Sequence, residues 1–335
     1  MAESDRRPTL KDVSLLAGTS SAVVSYVVNG GPRPVAEKTR AKVVAAIAQL
    51  GYRQNRMASA LMSGRSNLVC LLVPDSSNPF FGEMARNIEQ AASARNLLTV
   101  LGNTAYDLES EIKYEMAFSD LLPRVTFVTS IDTTPQSKQA GPRIYLHSRP
   151  QASSEPCVVF DDVGGGLIAT EHLIQHGFTN IFCLTGPDDF GPSGRRKQGW
   201  EQAMKSAGLP IEGRVVRSSY SRLETESVVG KLLASGSPPR AIFATTDEQA
   251  IASLRAASVA GLRVPEDLAI VGFDGIQESL AGSVRLTTIG LPLGELASRA
   301  FEILEGWDDP ETQKIWELSG TLVIGETCGC LAKSL

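Results

Sequence analysis

Three aspartates stand just after short apolar runs: Asp162 after Cys157–Phe160, Asp247 after Ala241–Ala244, and Asp274 after Leu268–Phe273. Such runs read as buried strands, and open α/β sheets gather their ligands at the carboxyl ends of strands. Carboxylates placed there would accept hydrogen bonds from a small polar ligand. Other reactive types are sparse. His172 and His176 lie four apart on an expected helix, a spacing that could serve a metal, but no third ligand is near in sequence. Cys328-Gly329-Cys330 has a spacer shorter than the usual zinc knuckle and no second pair. No metal is expected at either place. Gly164–Gly166 lacks the GxGxxG spacing of a dinucleotide site and reads as a close-packed helix start. Three histidines, with no Ser/His/Asp or Cys/His arrangement, are a poor stock for acid–base work. Neither catalytic residues nor a cofactor are expected, and the chain is read as no enzyme.

The elements that must carry these residues follow from the apolar pattern. From Leu68 onward, apolar runs alternate with amphipathic stretches. Strands are expected at Leu68–Val73, Leu97–Gly102, Cys157–Phe160, Ile181–Thr185, Ala241–Ala244 and Leu268–Phe273. Helices are expected at Phe80–Arg95, Gly164–His176, Gly194–Ala207, Ser221–Leu233 and Asp247–Ala260. This βαβ rhythm means parallel sheets flanked by helices, and its length suggests two such units. With 335 residues the chain has room for two or three domains. No run of about 18 apolar residues exists, so no membrane span is expected. Met1 to Pro8 is polar, unlike a signal peptide, so a cytoplasmic location is expected.

Charge is unevenly spread. Residues 1–65 hold ten Lys/Arg against four acids, +6, and the net charge of −5 leaves −11 on the rest. A basic head on an acidic body suits a nucleic-acid reader, although charge alone leaves chance as an alternative. The head has its own pattern. Thr9 and Asp12 are spaced as a capping box, and Val13, Leu16 and Ala17 form an apolar stripe. Gly18-Thr19 breaks that helix. Ser20 caps a second, Ser21 to Val28, with Val24, Val27 and Val28 inward. A third runs from about Glu37 to Leu50, weakly capped by Ala36 and stopped by Gly51. Two short helices about a glycine turn, braced by a third, make a helix-turn-helix.

The segments TLKDVSLLAGTSSAVVSYVVNG and TRAKVVAAIAQLGYRQNRMASAL resemble the headpiece of the LacI/GalR (lactose repressor) family of bacterial transcription regulators. The resemblance implies that the second helix enters the major groove, with Ser21, Ala22 and Tyr26 at base-reading positions. It places Thr9, Ser20, Ser25, Asn29 and Thr39 at phosphate contacts, and Ser20 and Thr9 are caps as well. Many members carry Arg where Tyr26 stands, so a different operator base pair is expected. Asn55–Met62 is similar to the family's hinge helix, with Asn55 and Ala58 in it and Leu61 at the position that wedges into the minor groove. The alternative for Leu61 is an ordinary linker contact.

Further on, VPDSSNPFF, DDVGGGLIATEHLIQHG, TDEQAIASLRAASVAGLRVPEDLAIVGFDG and LTTI resemble the family's effector domain, of type I periplasmic-binding-protein fold. That implies two doubly wound parallel-sheet lobes around a cleft. The resemblance sets Arg196 as the cleft arginine, Asp274 as the acid opposite, Phe80 and Phe81 on the other lobe, and Tyr220 over the ligand. Carboxylates, a guanidinium and aromatic faces suit a polyhydroxylated ligand, a sugar or related polar metabolite. The alternatives are core packing for Phe80, Phe81 and Tyr220 and a helix cap for Asp247. Leu291 replaces a frequent polar residue, Val125-Thr126-Phe127 replaces a Val-Asp-Gly, and the segment from Thr129 to Ile144 is short and polar. Expected boundaries are 1–54 for the helix-turn-helix, 55–66 for the hinge and 67–335 for the effector and dimerisation domain. Its first lobe comprises about 67–160 and 290–319, its second about 161–289 and 320–335. The implied protein is a homodimeric repressor that binds a pseudo-palindromic double-stranded DNA operator under control of a small-molecule effector. A solute-binding protein, a regulator answering to a protein partner, and an enzyme on the same scaffold are the rivals.

Overall fold

Unbroken apolar runs such as Leu68–Val73 are what strands become when both faces of a sheet are covered. The structure, a computed structural model, describes residues 8–29, 34–53, 60, 64–129, 142–148 and 155–330. The chain forms two compact units, Met1–Ser66 and Asn67–Leu335.

The first unit holds α1 (Leu10–Ala17), α2 (Ser21–Asn29) and α3 (Glu37–Leu50). Val13, Ala17, Val24, Val43 and Ala46 are buried together at their centre. The ends are built as local chemistry demands. The Thr9 and Asp12 side chains cap α1 reciprocally, and Gly18 ends it in the left-handed region at φ 64°. Ser20 Oγ accepts from the Val23 N–H at 3.3 Å. Ala36 gives α3 no side-chain cap, and Gly51 closes it. The hinge positions Asn55, Ala58 and Leu61 lie outside the described residues, as do 130–141 of the polar segment.

The second unit contains two six-stranded sheets. The first is built from β1 (Leu68–Val73), β2 (Leu98–Asn103), β3 (Val125–Val128), β4 (Arg143–His147), β5 (Cys157–Phe160) and β11 (Ile315–Leu318), in the order β11-β5-β4-β3-β1-β2. The second holds β6 (Ile181–Thr185), β7 (Val215–Arg217), β8 (Ala241–Ala244), β9 (Ala269–Asp274), β10 (Thr287–Gly290) and β12 (Thr321–Val323), in the order β12-β10-β9-β8-β6-β7. All pairs are parallel except β10 with β12. The chain passes to the second sheet after β5, returns for β11, and ends with β12 in the second.

Alternation along β1 sends Val69, Leu71 and Val73 to one face and Cys70 and Leu72 to the other. The first set packs on α4 (Pro79–Ser93), through Phe80, Met84 and Ile88, and on α11 (Leu293–Glu305), through Leu296, Ala300 and Phe301. The second set meets Phe118 of α5 (Leu108–Asp120). In the second sheet, Cys183, Phe243 and Val271 pack on α6 (Asp162–Gln175) and α7 (Gly191–Ser206) through Leu173 and Trp200. Leu184, Ile242 and Ile270 pack on α8 (Arg222–Leu233) and α9 (Asp247–Val259) through Val229 and Ala256. A short helix, α10 (Gln277–Ala281), follows β9. Leu291, just past β10, touches the cores of both sheets.

One glycine from each of α6 and α7 lets these two helices touch backbone to backbone. A methyl group at Gly166 would collide with the Arg196 carbonyl, and one at Gly199 with the Val163 carbonyl. Gly166→Ala is therefore expected to force α6 and α7 apart, at a cost of about 1–3 kcal/mol. Chemical denaturation of the full chain should read that loss, and an unchanged midpoint would refute the close contact.

Candidate DNA-reading helix and effector cleft

On α2 the outward residues are set by helical rotation. Val24, Val27 and Val28 turn toward the headpiece core. Ser21, Ala22, Ser25 and Tyr26 then fall within one arc of about 140° on the other side. Ser21 and Ala22 are exposed, while Ser25 and Tyr26 are half-buried. The Ser21 hydroxyl donates to Ser14 Oγ at 3.3 Å, so this predicted reader already has a partner within the headpiece. Thr9 is exposed and Thr39 half-buried on the first turn of α3. The N-terminus of α2, next to Ser20, is a place where backbone N–H groups can meet a phosphate.

In the second unit, strand ends and helix starts converge on Arg196. This residue sits in the second turn of α7, just 1% exposed. Its Nε donates to Asp162 Oδ1 at 2.9 Å. Its Nη1 donates to Asp274 Oδ1 at 2.9 Å and to the Thr245 carbonyl at 2.7 Å. The guanidinium lies over the Phe273 ring, 3.8 Å from the centroid. Its Nη2 is buried without a hydrogen-bond partner. Such a donor loses its hydration unless a ligand or a water supplies an acceptor.

Asp162, the first residue of α6, also accepts two hydrogen bonds from Arg195, at 2.7 and 3.0 Å. Asp161 caps that helix, accepting from the Gly164 N–H at 2.8 Å. Asp274 ends β9 with φ 123°, a conformation unusual for any residue but glycine. Burial pushes its carboxyl well above the usual carboxylate range; Arg196 pulls it back and Asp247 pushes it further up.

Asp247 does not join this surface. It is fully buried beneath it, with Oδ2 accepting from the Gly275 and Ile276 N–H groups at 2.9 and 3.0 Å and Oδ1 from Thr288 Oγ1 at 2.6 Å. Its role in this geometry is to hold the turn that carries Asp274. Nor does it cap α9; Thr246 does, accepting from the Gln249 N–H.

Tyr220 donates from its hydroxyl to Ser193 Oγ at 3.2 Å and stacks on Tyr106, which follows β2, with centroids 5.9 Å apart. An aromatic pair thus bridges residues on the two sheets. Phe80 and Phe81 are buried in the first core, and both also pack around His147, at 4.7 and 6.1 Å between centroids.

His147 went unmarked by sequence reasoning. It ends β4 at φ 64°, in a tight turn in which the Ser148 N–H reaches the Leu146 carbonyl at 2.6 Å. Phe80, Phe81 and Phe160 surround its ring. Burial, then the charges of Arg196 and Arg195, hold its imidazole well below the ordinary histidine range. Its Nδ1 is buried with no partner. Thr129, at the carboxyl end of β3, likewise buries an unpartnered hydroxyl. A histidine just after an apolar run was the available signal for the first. Tyr106 and Arg195 carried none beyond proximity to a turn and to Arg196.

Residues 9–55 match a family described as bacterial regulatory proteins, lacI family, and residues 170–328 match a periplasmic binding protein-like domain. The HTH-type transcriptional regulator DegA of Bacillus subtilis is 35% identical over 305 residues, covering 87% of this chain and 89% of its own length. The ribose operon repressor of Escherichia coli K12 is 33% identical over 304 residues, covering 88% and 92%. The chain belongs to the LacI family. A lac repressor dimer bound to operator and the anti-inducer ONPF has the same fold, with a TM-score of 0.84, 23% identity, and 96% and 99% of the two chains covered. A CelR–cellobiose complex superposes with a TM-score of 0.69 at 27% identity over 96% and 100%. The two matched regions of this LacI-family chain take in Thr9 through Asn55 of the expected DNA contacts, and Arg196, Tyr220, Asp247 and Asp274 of the cleft. Phe80, Phe81 and Asp162 precede the second region. No helix among the described residues is long and apolar enough to cross a membrane.

Proposed function

We propose that this protein is a cytoplasmic, sequence-specific DNA-binding repressor of transcription, without enzymatic activity, that works as a homodimer on a pseudo-palindromic operator. The observation that carries the reading is one chain uniting a LacI-type headpiece with a two-sheet cleft whose Arg196 has a buried, unpartnered Nη2. The headpiece sets it apart from a solute-binding protein of similar fold. Ser21, Ala22 and Tyr26 read base edges, and Thr9, Ser20, Ser25, Asn29 and Thr39 contact phosphates. Asn55, Ala58 and Leu61 act in the hinge. Exposed apolar side chains support dimerisation: Leu98, Leu101 and Met116 on the first lobe, Leu223 and Val259 on the second.

The effector is a small, hydroxyl-rich metabolite such as a sugar. Its oxygens complete Arg196 Nη2 and meet Asp274 and Asp162. His147 Nδ1 supplies a neutral imidazole, and Tyr220 with Tyr106 covers the apolar side. Phe80 and Phe81 wall the pocket through His147, and Asp247 positions Asp274. Ligand that binds one arrangement of the lobes better than the other shifts their balance, and with it the affinity for DNA.

Selection of genomic fragments by the purified full-length protein tests this. A two-fold-symmetric motif is expected, with affinity falling steeply as salt rises, by a logarithmic slope of about −0.9 for each phosphate neutralised. No enrichment over bulk fragments at moderate salt would sink the reading.

A further inference from the structure

We propose a metal site at the opposite end of α6 from Asp162: His172, His176, Cys328 and Cys330 form a four-ligand cradle for a thiophilic divalent cation, zinc above all. The proposal is independent of DNA and effector binding.

The sequence separates these residues into two pairs, each too small to hold a metal by itself. The fold joins them. His172 lies in the last turn of α6 and His176 directly follows it, so a spacing of four puts both on one face. Cys328 and Cys330 lie beyond β12, in a segment sewn to the sheet. The Ile270 N–H reaches the Thr327 carbonyl at 2.8 Å, and Thr327 Oγ1 donates to the Ile270 carbonyl at 2.6 Å. The Thr287 N–H reaches Thr327 Oγ1 at 2.9 Å. Between the cysteines, Gly329 has φ 94°, a turn that side-chain-bearing residues rarely adopt.

One donor atom from each of the four lies within 4.8 Å of all the others. Cys330 Sγ is 3.1 Å from His176 Nε2 and 3.6 Å from His172 Nε2. A tetrahedral zinc with ordinary Zn–N and Zn–S bonds holds its donors about 3.3–3.8 Å apart, so the cradle is already near the size of the coordination shell. Two thiols and two imidazoles are the donor set of a closed structural site. On binding, each thiol releases its proton to solvent, and two thiolates cancel the charge of the cation. A neutral centre is the kind that can sit in a dry place. The inner side of the site is dry: Cys328 is fully buried in a cluster with Leu173 and Trp200, while Cys330 packs against the edge of that cluster. The cation would clasp the chain's C-terminal segment to α6, the helix whose first residue is Asp162.

The test uses full-length protein purified under reducing conditions without chelator. About one zinc per chain is expected, and Co²⁺ added to metal-free protein should give tetrahedral d–d bands with thiolate charge transfer. Cys330→Ser and His176→Asn alter the two partly exposed ligands, with circular dichroism to confirm that each variant folds. Both should weaken zinc binding by more than the 10–100-fold that outer-shell partners are worth, and Cys330→Ser should diminish the charge-transfer band. A chelator should lower the melting temperature of the unaltered protein and leave that of Cys330→Ser unmoved. Equal zinc affinity in folded variants and parent, no cobalt spectrum, or a Cys328–Cys330 disulfide mapped in the isolated protein would each overturn the proposal.

Discussion

Replacing Arg196 with methionine is expected to destabilise the second unit by about 3–5 kcal/mol and to remove effector binding. The two losses have different origins. Stability falls because Asp274, buried and held by Arg196 at 2.9 Å, is left without its counter-ion. Asp162 suffers less, since Arg195 still donates to it twice. Asp274→Asn added to Arg196→Met should therefore recover part of the stability, and a double-mutant cycle measured by denaturation will show the coupling. Effector affinity should not recover in that double variant, because the missing donor is Nη2. Arg196→Lys separates the roles further. A lysine keeps a positive charge beside Asp162 and Asp274, but its three N–H groups only match the three acceptors that Arg196 already serves and leave none for a ligand. It should hold much of the stability while binding a sugar found by thermal-shift screening at least about tenfold more weakly, the value of one hydrogen bond to a charged group. If lysine restored affinity in full, Arg196 would be an internal ion pair and no part of the ligand site.

Much of this architecture was legible where local rules act alone. The capping box at Thr9 and Asp12, the stops at Gly18 and Gly51, and the weak start at Ala36 depend on neighbours a few residues away, and each stands as read. The two-sheet fold was legible because strands covered on both faces must be apolar throughout. What escaped was fixed by distant partners. Helix α5 went unread because its inward face carries Glu111 and Glu115, both buried, which blur the apolar period. Glu115 is tolerated there because Arg143, at the start of β4, pairs with it at 3.1 Å and with Glu155 at 2.8 Å. Each of those charges, taken singly, argues for a surface loop.

The cleft shows the same division. Apolar runs announced that Asp162, Asp247 and Asp274 stand at strand ends, but the direction of a carboxylate is a tertiary fact. Asp247 turns inward to two backbone N–H groups and a threonine hydroxyl. His147 has no motif at all; its position comes from three phenylalanines that meet only in the folded lobe. Gly164–Gly166, read as a close-packed start, is tight for a reason the sequence withholds, namely the carbonyl of Arg196 against Gly166.

Tyr26→Arg should rewrite the operator more than any other single change in the headpiece. Tyr26 lies on the outward arc of α2 with Ser21 and Ala22, and its side chain ends in one hydroxyl. A phenol cannot grip both acceptors of a guanine edge as a guanidinium does, and a good bidentate contact is worth about 1–3 kcal/mol of discrimination. A homodimer on a symmetric site presents the residue twice. The preference for guanine at the contacted base pair in both half-sites should then shift by about 2–6 kcal/mol, from tens-fold to roughly ten-thousand-fold. Tyr26→Phe, which keeps the ring and loses the hydroxyl, should blunt the original preference without creating a new one. Randomised-site selections on the three proteins make the comparison directly. Salt dependence guards against a false reading: an arginine that merely paired with phosphate would tighten binding to all sequences alike and steepen the salt slope by about one per headpiece. Identical motifs from the tyrosine and arginine forms, with that steeper slope, would place residue 26 on the backbone of the DNA and leave base reading to Ser21 and Ala22.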